Sequence, residues 1–171
     1  MIRFLLLALC CAPAFADTYA GLQQREIKAL TAEEMQGYLE AKGMGLAKAA
    51  ELNGYPGPSH VLEHADALGL DPAQREATRA IFATMRERAM AAGVRLVAQE
   101  RELDRRFASG HIDAAGLSAA LAQIAATQAE IRGAHLSAHL EQKALLSARQ
   151  IAAYNRLRGY DAPAAHRSHA H

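Results

Sequence analysis

The chain has 171 residues, a length that suits one domain, with 51% hydrophobic and 5% aromatic residues, no Trp, and 19 Lys and Arg against 18 Asp and Glu. Its charges are interspersed, which excludes the basic footprint of a nucleic-acid partner or of an anionic membrane surface. Alanine and leucine dominate and β-branched runs are absent, so the composition predicts an all-α fold.

Met1 to Ala16 carries Arg3, an apolar run from Phe4 to Ala12 and a small-residue ending Ala14-Phe15-Ala16, the pattern of a secretory signal peptide with predicted cleavage after Ala16. That run is about half the length that spans a bilayer, and no later stretch approaches 18 uninterrupted apolar residues, so no stable membrane anchor is expected. Cys10 and Cys11 both lie inside the signal, in a context that does not read as a lipid-attachment site. A chain beginning at Asp17 therefore has no disulfide and no thiolate, and any metal site must be built from His, Met and carboxylate. Loss of Arg3 leaves 18 basic and 18 acidic residues, so its net charge is near zero with neutral histidines.

Residues 17–58 read as an N-terminal helical segment and loop. Thr31-Ala32-Glu33-Glu34 has the form of a capping box and opens a first helix, expected to bend at Gly43-Met44-Gly45 and resume to Leu52. Asn53-Gly54-Tyr55-Pro56-Gly57-Pro58 is a firm break. Residues 59–160 form the main helical domain. Ser59 is placed as the cap of a short helix ended by Gly69. Asp71 caps the next, with Pro72 at its first position. That helix meets no strong breaker before Ser109-Gly110, Gly93 being its one weak point, so it should run about 36 residues and roughly 55 Å. Asp113 opens another long helix to Leu145, and Ser147 caps a last one ending near Gly159. The short connection at Gly110 predicts a long antiparallel hairpin from Pro72 to Leu145 with flanking helices. A long hairpin leaves faces uncovered, so a homodimer is expected. On its second helix, Leu117, Leu121, Ile124, Gln128, Ile131, His135 and Ala138 repeat alternately four and three apart and are placed as the core stripe.

Two histidine pairs, His60/His64 and His135/His139, stand four residues apart, a spacing that turns both rings of a pair to one helix face. Pairing across the Gly110 turn puts His135 opposite Met85 and His139 opposite Ile81. Folding back at Gly69 to Asp71 puts His60 near Ile81 and His64 near Ala77. The two pairs thus come out at one level of the bundle, where four imidazoles suit Zn²⁺, Cu²⁺, Ni²⁺ or Co²⁺, with Glu63 and Met85 as candidate further ligands or supporting partners. The competing reading is structural: four polar residues at the edge of the core, bonded to backbone or water. The tail 161–171, with His166, His169 and His171, has too little apolar surface to fold; it is expected to be disordered and either captures metal weakly or is an inert terminus.

Leu70-Asp71-Pro72-Ala73-Gln74 and Leu146-Ser147-Ala148-Arg149-Gln150 are two degenerate copies of Leu-Thr-x-x-Gln, each at a helix start and separated by the hairpin. In this the stretch from Ser59 to Tyr160 resembles the Spy/CpxP family of periplasmic stress proteins, which includes zinc-resistance-associated proteins and periplasmic heavy-metal sensors. The resemblance implies a periplasmic location and a role in heavy-metal sensing or resistance. In the nickel and cobalt sensors an early His-x-x-x-His and a later His-x-x-x-Met pair ligate the metal. Here His60/His64 matches the first, and His139 stands where the second has Met. Those sensors are membrane-anchored partners of an anti-sigma factor, which a cleaved signal argues against, so an envelope-stress sensor is the less favoured partner.

The same family implies a rival function. Spy-type members are dimeric cradles that hold unfolded periplasmic proteins without ATP on apolar and positive surface. Arg75, Arg79, Arg86, Arg88, Arg95, Arg101, Arg105 and Arg106 supply such material; the bland alternative is a solvated helix face. His60-Val61-Leu62-Glu63-His64 also fits the His-x-x-Glu-His motif of inverted zinc proteases, but that class needs a large α/β domain and a distant third ligand, so no enzymatic activity is expected.

Overall fold

The computed structural model describes residues 19–161; the expected signal peptide, residues 1–16, and the tail histidines lie outside them. Six helices follow a single 3-10 turn at Leu22–Gln24: α1 (Ala32–Leu39), α2 (Lys48–Glu51), α3 (Pro58–Glu63), α4 (Pro72–Ala108), α5 (Ala114–Leu145) and α6 (Ala148–Leu157). Among the described residues there is no strand, and no helix is long and apolar enough to cross a membrane.

The helix starts follow from side-chain chemistry. Thr31, Asp71 and Ser147 each accept from the third backbone N–H of their helix, and Glu34, Gln74 and Gln150 return the bond to the capping residue's own N–H. Asp113 caps α5 through the Gly116 N–H at 2.7 Å. At α3 the expectation fails by two residues. Gly57 holds the cap position without a side-chain bond, because Pro58 has no N–H to satisfy and supplies a helical φ at the first position.

The first helix does not run on to Leu52. It stops at Leu39, where the Lys42 N–H bonds to Gly37 O at 2.8 Å and the Ala41 N–H to Tyr38 O at 3.3 Å, closing a Schellman turn with Ala41 at φ 55°. An L-residue there costs about 1 kcal/mol. Burial of the Ala41 methyl among Met85, Ala89, Ala134 and Ala138 offsets that strain. The chain then makes one separate turn, α2, before the break at Asn53.

Helices α4 and α5 make the most extensive contact in the molecule. Met85 and Ala89 meet Ala134 and Ala138, and farther along Ala92 and Leu96 meet Ile124 and Ile131. The buried face of α5 is Ile124, Thr127, Ile131, Ala134, His135, Ala138, His139 and Gln142. Leu121 and Gln128, placed on the core stripe by their spacing, are exposed, and Leu117 is half-buried. At a straight helical period the buried face rotates onto Thr127 rather than Gln128.

A third cluster joins Val61, Ala65, Leu68, Leu70, Leu146 and Tyr154 at the end of the molecule where α3, α4 and α6 converge. The two repeated motifs meet there. Leu70 and Leu146 enter the same cluster, while Gln74 Nε2 donates to Gln150 Oε1 at 3.1 Å and Gln150 Nε2 donates to Gln74 Oε1 at 2.8 Å. Each glutamine thus caps its own helix and clasps the other. The polar chain continues inward, from Gln142 Nε2 to Thr78 Oγ1 at 3.1 Å and from Thr78 Oγ1 to Gln74 O at 2.7 Å.

Candidate metal centre

Three of the four paired histidines border one cavity of about 340 Å³, together with Gly57, Phe82 and Met85. His135 and His139 project from the buried face of α5, and Met85 from α4 opposite. His60 enters from α3 with its ring 39% exposed, and it also lines a neighbouring cavity of about 360 Å³ that shares His139 as a wall.

His64 does not join them: it borders neither cavity. Helix α3 ends at Glu63, and His64 is its C-terminal cap at φ −101°, where the backbone leaves helical geometry. The one-face argument for an i, i+4 pair therefore lapses at the second residue. Glu63 is exposed and borders neither cavity, its Oε2 lying 3.2 Å from His60 Nδ1. That contact holds the Glu63 carboxyl below its usual range.

His139 is fixed in tautomer by its surroundings. Its Nδ1 lies 2.7 Å from Tyr55 O, and a carbonyl can only accept, so Nδ1 carries a proton and in the neutral imidazole the lone pair falls on Nε2. Tyr55 is aimed there by the Asn53-Gly54 turn: Gly54 takes φ 74°, which lets the Tyr55 N–H return to Ala50 O at 3.1 Å. Backbone support of this kind is what orients metal-ligating imidazoles.

His135 is buried, and its Nε2 has no hydrogen-bond partner. Burial first, and the His139 ring second, push its pKa below the ordinary histidine value, so the ring is neutral at pH 7. A buried nitrogen without a donor or acceptor forgoes about 1–3 kcal/mol, a penalty that an ion would relieve. Among the described residues no group of three or more His, Cys, Asp or Glu side chains stands in a metal-holding arrangement. A site would have to draw the exposed His60 ring in toward the α5 pair.

The sequence offered no sign of Glu51. It sits on α2 with only 13% of its side chain exposed and gathers groups from across the fold. Tyr154 and Tyr160 donate their hydroxyls to Oε1 at 2.5 and 3.0 Å, and Arg158 Nε lies at 3.4 Å. Oε2 is buried without a hydrogen-bond donor, 3.6 Å from His139 Nδ1. Tyr154, fully buried, carries a pKa raised by burial and by that carboxylate, and its oxygen also accepts the Gly57 N–H at 3.3 Å. The loop signal at Asn53 to Pro58 could have marked this segment as one that steers backbone into a site. Comparison of the chain with protein-family models, with curated proteins and with solved structures finds no match.

Proposed function

We propose that the chain is a periplasmic protein that binds a divalent transition metal through His135, His139 and His60, in heavy-metal stress sensing or resistance of the envelope. The observation that carries this reading is the α5 pair. His135 Nε2 is buried and unpartnered, and His139 is held with its Nε2 lone pair free by the Tyr55 carbonyl, both on one cavity with His60 and the Met85 thioether. Neutral nitrogen donors with a soft sulfur nearby favour Zn²⁺, Cu²⁺, Ni²⁺ or Co²⁺ over hard cations. The Spy/CpxP-like hairpin, a homodimer and secretion by the signal peptide belong to the same proposal; the paired Leu-x-x-x-Gln motifs support the first, and the exposed Val94, Phe107 and Leu121 support the second.

Calorimetry on the chain from Asp17, with His166, His169 and His171 replaced by Ser, tests the reading against the four ions. The expectation is binding near neutral pH, loss below about pH 6 as imidazole protonates, retention in His64→Ala and loss in His139→Ala. Binding no tighter than about 100 μM, near −5.5 kcal/mol, for every ion would make the histidines structural.

The Spy-type chaperone is the second reading. It is weakened by its own cationic surface, since Arg75, Arg79, Arg95, Arg101, Arg105 and Arg106 each pair with a carboxylate, leaving Arg86 and Arg88 of the eight without one among the described residues. Suppression of aggregation of a reduced client by equimolar metal-free protein, unchanged in His60→Ala and His135→Ala, would favour it instead.

A further inference from the structure

We propose that Glu51, from the N-terminal segment, is the oxygen ligand of this metal centre, and that Gly57 is the bare floor that lets the ion sit between Glu51 and His139. The inference rests on the metal-binding reading above and adds to it a residue, an element and a donor type.

The argument starts from the two oxygens of one carboxylate. Oε1 is saturated by the Tyr154 and Tyr160 hydroxyls, which hold the group in a single orientation. Oε2 points away from them, is buried, and receives no donor. A carboxylate kept out of water with one oxygen vacant calls for a cation. Arg158 approaches the satisfied oxygen, and the vacant one faces only the His139 Nδ1–H at 3.6 Å, beyond hydrogen-bond range and already donated to Tyr55 O.

Gly57 supplies the second observation. A Cβ built on it would lie 3.3 Å from Glu51 Oε2, 3.1 Å from His139 Nε2 and 2.9 Å from His139 Cε1. The two atoms with spare lone pairs therefore flank the same small space, and it is open because residue 57 has no side chain. The backbone does not demand glycine there. At φ −84° and ψ 137° Gly57 adopts a conformation open to any residue, so the local constraint is on space rather than on torsion.

His135, whose Nε2 is buried without a partner, and His60 border the cavity onto which Gly57 opens. An ion at this floor thus has His139 and Glu51 as its first candidate ligands; His135 on one adjoining cavity and the half-exposed His60 ring, which borders both, would have to close in to complete the set, since no three of these side chains already stand in a metal-holding arrangement. Two or three imidazoles with one carboxylate is a donor set that suits Zn²⁺ and Co²⁺ and disfavours Cu⁺.

The test uses Co²⁺, whose visible absorption reports coordination number and donor type, on the chain from Asp17 with the three tail histidines replaced by Ser. Glu51→Gln keeps an acceptor for both tyrosines and removes the anionic ligand. Gly57→Ala leaves the ligands intact and puts a methyl on the floor. Glu100→Gln, a half-buried carboxylate in a distant groove, is the control. The expected result is a Kd raised at least tenfold by Glu51→Gln and by Gly57→Ala, with an altered Co²⁺ spectrum in whatever complex remains, and no change in Glu100→Gln. Melting of the metal-free variants checks folding; should Glu51→Gln not fold, Gly57→Ala decides alone. Tight binding with an unchanged spectrum in these variants overturns the role of Glu51 and leaves the histidine site standing. Absence of Co²⁺ binding in the parent chain overturns both.

Discussion

Replacing Gly93 by Ala separates two opposite expectations for a glycine inside a long helix. From propensity alone the change stabilises α4 by about 1 kcal/mol, since glycine is the costliest ordinary residue in a helix interior. The packing reverses the sign. Helix α1 crosses α4 at this point, and a Cβ on Gly93 would fall 2.7 Å from the Tyr38 carbonyl carbon and closer still to its oxygen. Those are backbone atoms at the C-terminal turn of α1, where Tyr38 also accepts the closing bond from Ala41, so they cannot rotate aside. Overpacking against fixed atoms costs about 3 kcal/mol at the upper end of its range. Subtracting the propensity gain leaves a net destabilisation of about 2 kcal/mol, which for a domain of this size lowers Tm by about 4–8 °C. Gly133→Ala is the matched control, because it lies inside α5 with nothing within 4 Å of an added Cβ, and it should raise Tm by about 2–4 °C. Thermal unfolding followed by circular dichroism reads both. Equal and positive shifts in the two variants would refute the close crossing of α1 over α4.

The glutamine clasp should behave as a unit: Gln74→Ala and Gln150→Ala each cost about 1–2 kcal/mol, and the double variant costs less than the two together, because either single change already breaks both amide bonds; denaturant unfolding of the four-member cycle measures this, and strict additivity would contradict it. His135 has a lowered pKa, so its contribution is fully present above the ordinary value of 6.5 and is lost as pH falls through the lower folded value. Metal-free protein should therefore melt earlier between pH 7 and 5, and His135→Leu should flatten that slope in spite of His60, His139, Arg86 and Glu40 on the same cavity wall; parallel pH curves would contradict it. If the metal reading holds, an ion at a hundredfold excess over Kd adds about 2.7 kcal/mol, raising Tm by about 5–11 °C, and a chelator should return the shift in full.

Sequence periodicity and capping chemistry located the starts of α1, α4, α5 and α6 to the residue, because each rests on a capping side chain that accepts the backbone N–H three residues along. Two features were out of reach for lack of local cause. The stop of α1 at Leu39 depends on Ala41 adopting a left-handed conformation that only tertiary burial compensates, so an Ala there carries no sequence signal. The exposure of Leu121 and Gln128 depends on which neighbours reach α5, information that a heptad count does not contain. In the candidate site, the α5 pair and His60 were legible from spacing, whereas His64 was misplaced because α3 ends one residue early. Glu51 was invisible, since its partners Tyr154 and Tyr160 are 103 and 109 residues away.

Those separations order the way the molecule is built. Closing a loop of more than a hundred residues is entropically dear in a free chain. Once α4 and α5 lie together, residues 74 and 150 are neighbours, and the effective loop from α2 to α6 shrinks to the few turns that connect them to that pair. The carboxylate hub at Glu51 is thus a late contact, resting on structure that must already exist. Its opening needs no rupture of the α4–α5 contact at Ala92, Leu96, Ile124 and Ile131, so α2 and α6 can part while the long helices stay paired. If the metal reading holds, a centre that spans this hub and α5 is complete only when both are in place, and an ion bound across it acts as a latch on that contact.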